Sequence, residues 1–480
     1  MPPITERAHP AMHFMPQAFN PIVWRGVKFL LPLWLRFKLA IASVQAENLD
    51  LFVQQYQEFQ QGKSRLLIAF RHPSTADPFS MAYLVWYLVP QAARESGVRL
   101  KPPIHSHFLY DRGIALWAGN IVNWLFPKIG GSSIFRGKAD REGLKAAREL
   151  LCEGRFPLSI APEGSTNDHS ELVSPLEPGV AQLGFWCKED LMKANRPESV
   201  HILPISLRYE YIRPPWDQLD HLLDQLETDL GLPPDSVAPT GQIANLELDR
   251  RYARLLRIGS GFLDRLEIFY AQNYGRTALT HDLEGNDSLA PNAKIVARLH
   301  RGLDEVLQVA EEFFGLSARG SFSDRCRRLE QAAWDRMFLD HLDQLSPLDR
   351  GLADWNAAEA SLRLGHMRLA ERLVCMTSDY ILARPSADRF AEVVLILWRI
   401  SVWIKGESPH APPNLGQQRV KAVVCPPIII DDYWDQYQTN RRSARQSVQE
   451  VTHALQGAFE GIIQANLRSQ EISPNAPTHG

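Results

Sequence analysis

Between residues 65 and 209, apolar positions come in short runs separated by stretches of helical period. The run RLLIAF at 65–70 reads as a buried strand, as does FPLSIA at 156–161. Residues 104–109 alternate like a half-buried strand, and 201–209 form another. Residues 78–89 carry a helical pattern that Pro90 is expected to stop. Residues 138–153 predict a helix with a basic face, ended by Gly154, and 179–194 predict a further helix. Alternating strands and helices over residues 64–215 predict an α/β domain.

The first 48 residues have a different pattern. Trp24, Phe29, Leu30, Leu33, Trp34 and Phe37 supply apolar bulk, while Arg25, Lys28 and Arg36 share one helical face. No acidic residue occurs from Ala11 to Ala46. Arg36, Lys38 and Pro32 interrupt the apolar stretch, which is too short to span a bilayer. An amphipathic helical segment kinked at Pro32 is expected, either lying on an anionic membrane surface or packed on the domain as an ordinary amphipathic helix. Residues 1–20 lack the pattern of a cleavable leader.

Beyond Pro214-Pro215, residues 217–275 are helical in pattern around a Gly/Pro loop. Residues 281–292 are turn-rich, and 293–470 predict a helical C-terminal region of unknown role ahead of a polar tail. The apolar run 393–398 is too short to cross a membrane. With 480 residues, two or three domains are expected. Lys and Arg total 52 against 55 Asp and Glu, so no basic field argues for nucleic acid. Five dispersed cysteines without a CxxC pair argue against a disulfide framework or a zinc ribbon, and for a reducing compartment.

The chemistry concentrates in FRHPSTADPF at 70–79. His72 leaves a buried strand, and Asp77 precedes a proline-led helix, so Asp77 is expected to cap that helix as an anion. The intervening turn brings the carboxylate back to the imidazole, fixing one tautomer and freeing the other nitrogen to accept a proton. A second cluster, IAPEGST at 160–166, also follows a strand. A third, IGGSSIFR at 129–136, is a glycine-led strand ending in Arg136. His105 and His107 share a strand face but have no third ligand nearby. They read as packed histidines, and no metal or other cofactor is expected. No GxSxG elbow is present.

The order His72/Asp77, Arg136, Glu163-Gly164, then ILPI at 202–205, resembles the four motif blocks of the glycerolipid acyltransferases. The resemblance covers roughly residues 65–210. Arg71 stands where family members usually carry Asn, and Ser165-Thr166 replaces the usual Thr-Arg pair. The resemblance implies an acyltransferase-type fold over residues 49–280, a mixed sheet flanked by helices, with His72 as general base and Asp77 as its orienter. It also implies acceptor binding by Arg136, Glu163, Gly164 and Ser165. The implied donor is acyl-CoA or acyl-carrier protein, and the implied acceptor a lysophospholipid, 1-acyl-glycerol-3-phosphate first, at the cytoplasmic face of a membrane. Glycerol 3-phosphate acylation, or a non-catalytic membrane-binding protein retaining this fold, are the alternatives.

Overall fold

The computed structural model describes residues 7–135, 140–233, 237–276, 291–376 and 379–471. They divide into two compact units, one of residues 14–135, 140–212 and 417–471, the other of 7–13 and 213–416.

The first unit is built on an eight-stranded mixed sheet. Its strands are β1 (Ile41–Glu47), β2 (Ser64–Phe70), β3 (His107–Asp111), β4 (Gly131–Ile134), β5 (Leu158–Ile160), β6 (Ser199–Tyr211), β7 (Gln418–Val424) and β8 (Ile428–Ile429). Their order is β1-β7-β6-β2-β5-β3-β4, with β8 also paired to β6. From β6 to β4 every neighbouring pair is parallel. β7 runs antiparallel to β6 and parallel to β1.

Burial on both faces explains why the strands read as short apolar runs rather than as strict alternation. In β2, Leu66, Ile68 and Phe70 face one layer and Leu67 and Ala69 the other. The first layer holds α1 (Pro21–Phe37), α2 (Leu49–Gln60), α3 (Asp77–Tyr83) and α4 (Val89–Glu95); the second holds α5 (Arg141–Glu153), α6 (Gly179–Lys193) and α7 (Arg441–Glu471).

Three expectations are corrected. The helix after Asp77 does not stop at Pro90 but widens into a π turn at Leu84–Leu88 and continues to Glu95. Pro90 offers no N–H and crowds the carbonyl four residues back, and the wider turn accommodates both defects. The expected 1–48 segment is not a unit of its own: its residues 14–48 belong to the first compact unit. Trp24, Leu31 and Leu35 of α1 enter the core, α1 runs through Pro32, and residues 41–47 are a strand of the sheet. Finally, the C-terminal region is not wholly helical, because β7 and β8 return to the sheet.

The second unit is helical, with helices Trp216–Asp229, Leu246–Tyr274, Pro291–Phe314, Phe322–Met337, Pro347–Leu373 and Ala387–Ile404. Ser321 and Asp324 form a reciprocal capping box. Most of the expected 281–292 boundary, and the polar tail, lie outside the described residues. Among the described residues, no helix is long and apolar enough to cross a membrane.

Candidate functional site

The described candidates, His72, Asp77, Glu163, Gly164 and Ser165, follow the carboxyl ends of the parallel strands β2 and β5. β2 and β5 are neighbours, yet the helix following β2 packs on one face of the sheet and that following β5 on the other. Where connections diverge in this way, α/β sheets place their ligands beyond the carboxyl ends of the strands. At that position His72 follows β2 and the PEG turn follows β5.

His72 Nδ1 lies 3.0 Å from Asp77 Oδ2. The His72 side chain is 22% exposed, whereas that of Asp77 is wholly buried. With Asp77 ionised, Nδ1–H donates to the carboxylate and Nε2 keeps a free lone pair. Asp77 is not the helix cap expected from its place before Pro78. It is the first helical residue, and its carboxylate turns back to accept the Ser74 N–H at 2.8 Å. Burial pushes the Asp77 carboxyl above the usual carboxylate range. Its hydrogen bond with His72, the His72 charge, and the hydrogen bonds from Tyr209 and Ser74 all pull the other way. The Tyr209 hydroxyl donates to Asp77 Oδ1 at 2.6 Å and sits 3.1 Å from Ser80 Oγ.

Glu163 is placed by Arg71. The Arg71 Nε–H donates to Glu163 Oε1 at 3.0 Å, and neither side chain has exposed surface. The remaining Arg71 donors reach the carbonyls of His169, Ser170 and Leu172 at 3.2, 2.7 and 2.6 Å. The Glu163 carboxylate, expected at the acceptor, is therefore internal and ties the PEG turn to Arg71 at the end of β2, whose other donors hold the segment 169–172. Burial raises the Glu163 carboxyl against the opposing pull of the Arg71 charge. Gly164 has φ +72°, a conformation that side-chain-bearing residues adopt at a cost, which accounts for glycine in the turn. Ser165 is exposed.

Arg136 lies outside the described residues, as do its neighbours to Ala139. On either side the chain is tied by Asp140, which accepts the Phe135 N–H at 2.9 Å and the Gly143 N–H at 3.1 Å and pairs with Arg112 at 2.7 Å. The basic stretch at α5 is partly neutralised: Arg148 pairs with Asp190 and Glu189, and Lys145 with Glu149. His105 is a packing residue among Phe19, Trp24, Trp86 and Phe156. Its Nδ1 accepts the Trp86 indole N–H at 2.9 Å, and burial holds its pKa down to about 3.

No protein-family model matches the chain, and no significant match to a curated protein is found. Two residues of the site were given no role by the sequence pattern. Arg71 was visible as a charge at the end of an apolar strand, a position that demands a partner. Tyr209 sat inside an apolar strand, and its hydroxyl gave no such signal.

Proposed function

We propose that this chain is a peripheral membrane O-acyltransferase that moves a fatty acyl group from a thioester to the free hydroxyl of a lysophospholipid. The donor is acyl-CoA or acyl-carrier protein, and 1-acyl-glycerol-3-phosphate, met at the cytoplasmic face of a membrane, is the acceptor. The observation that carries the reading is a partly exposed His72 whose Nδ1 is held 3.0 Å from a buried carboxylate at the strand ends. His72 Nε2 takes the acceptor hydroxyl proton as the oxygen attacks the thioester carbonyl. The tetrahedral intermediate then collapses, breaking the carbon–sulfur bond, and the departing thiolate receives the proton from His72. One ester bond forms, one thioester bond breaks, and no protein nucleophile is required.

Within this reading Arg136 binds the acceptor phosphate through its planar, bidentate donors. Gly164 and the exposed Ser165 supply the parts of the PEG turn open to the acceptor, while Glu163 acts through Arg71. The outer face of α1, apolar and flanked by Arg25, Arg36 and Lys38, supports contact with a lipid surface.

The test is mass spectrometry of lipids formed when purified protein meets mixed lysophospholipids and an acyl thioester. We expect a diacyl product, and His72→Ala should lower kcat by about 10²–10⁴-fold. Near-normal turnover by a well-folded His72→Ala protein would end this assignment.

A further inference from the structure

We propose that Tyr209 is a positioning residue that keeps Asp77 ionised and aimed at His72, an inference resting on the acyl-transfer base assigned above. The phenol donates its single proton to Asp77 Oδ1 at 2.6 Å, while His72 Nδ1 and the Ser74 N–H occupy Oδ2. Since that proton is committed to the carboxylate, the Ser80 hydroxyl, 3.1 Å away, donates to the phenol oxygen. Asp77, Ser80 and Tyr209 are all buried. The strand places the ring as well as the hydroxyl: the Tyr209 N–H donates to Ser170 Oγ at 3.2 Å, in the loop whose carbonyls Arg71 holds.

A carboxyl group removed from water takes up a proton unless donors compensate its charge. Protonation of Asp77 would damage the site in a specific way. A neutral carboxyl donates to Nδ1, which moves the imidazole proton to Nε2 and removes the lone pair the base needs. Among the described residues, the other charged groups facing the pair are Arg71 and Glu163, joined to each other at 3.0 Å. Glu163 Oε1 also lies 3.4 Å from the His72 backbone N–H. Their opposite charges largely cancel at the imidazole. The Tyr209 hydroxyl, the Ser74 N–H and His72 itself therefore carry the stabilisation of the Asp77 anion.

Tyr209→Phe removes one hydroxyl and keeps the ring in the core. Two measurements on the full chain follow the change: NMR titration of ¹⁵N-labelled His72 without substrate, and the pH profile of kcat/KM for acyl transfer. A hydrogen bond to a charged acceptor corresponds to a shift of about 1–2 pH units. We expect the acid limb of the profile to move up by that amount with KM for the thioester little changed. The ¹⁵N signature should shift toward the Nε2–H tautomer over the same range. Replacement of Tyr209 by 3-fluorotyrosine, a stronger donor that leaves the phenol in place, should move both in the opposite direction and serves if Tyr209→Phe does not fold. A His72 titration unmoved in both variants overturns the proposal. A titration that moves in a protein transferring no acyl group supports the role of Tyr209 and removes the acyl-transfer reading instead.

Discussion

Arg71 is an arginine without exposed surface, and such a side chain persists only where its donors are met. Glu163 takes the Nε–H, and three carbonyls of the 169–172 segment accept from Nη1 and Nη2. A smaller polar residue would not reach those carbonyls, so Arg71 gives this chain a linkage between two motif loops. Replacing it strands a buried carboxylate together with three acceptors. Arg71→Met, close in volume and without donors, should cost about 3–5 kcal/mol, read from urea unfolding at neutral pH. A loss below about 1 kcal/mol would show that water or a rearranged loop satisfies those groups. The His72–Asp77 pair was legible because its partners are five residues apart across one turn. Arg71 with Glu163 and Tyr209 with Asp77 were not, since their partners lie 92 and 132 residues away. Local pattern carries no information about which remote polar group will arrive to complete a buried one.

At the scale of elements, β2, β5, β6 and the helices α5 and α6 announced themselves because each buries its apolar positions with one regular period. The elements that escaped notice are those whose role depends on distant partners. β7, with sequence QRVKAVV, is half polar and follows a long helical stretch, yet it fills the gap between β1 and β6. Its Val420, Ala422 and Val424 enter one core, while Val448, Val451, Leu455 and Phe459 of α7 enter the other. Residues 417–471 thus complete both faces of the sheet. Truncation after Gly416 should leave β1 without a partner and β6 with an open edge, a template for aggregation. We expect the 1–416 protein to be insoluble or to lack a cooperative melt, measured by circular dichroism and limited proteolysis. A soluble truncation with an unchanged melting transition would show that β1 and β6 close the sheet without β7.

For the whole molecule, the question is how a lipid acceptor would reach His72. The inner side of α1 is spent on the core through Trp24, Leu31 and Leu35, so only its outer side is available to a membrane. That side is unusually apolar for a solvent face, with Phe29 76% and Phe37 78% exposed and Ile22, Leu30, Leu33 and Trp34 beside them. Trp34 also approaches Phe79 of α3, with ring centroids 6.2 Å apart, which sets this face next to the helix that carries Asp77. The helix Ile121–Lys128 adds exposed Ile121 and Trp124, and its last two carbonyls accept the N–H groups of Ala18 and Asn20 at the start of α1. The charges divide by environment. Lys28 is drawn over the Trp24 and Tyr87 rings and partly buried, while Arg25, Arg36 and Lys38 remain exposed. Each exposed cation near an anionic surface contributes about 1 kcal/mol, screened by salt, and each inserted Phe or Leu about 1.5–3 kcal/mol that salt does not remove. Binding to anionic vesicles should therefore weaken at high salt without vanishing. Phe29→Glu with Phe37→Glu should reduce vesicle partitioning at least tenfold at every salt concentration. Arg25→Gln with Arg36→Gln should reduce it only at low salt and only on anionic lipid. Deleting residues 1–48 would remove β1 and, with α1, the core side chains Trp24, Leu31 and Leu35, so these surface substitutions are the sharper test. Their far-UV circular dichroism should match the parent, and unchanged sedimentation of both double variants with vesicles would exclude α1 as the membrane face.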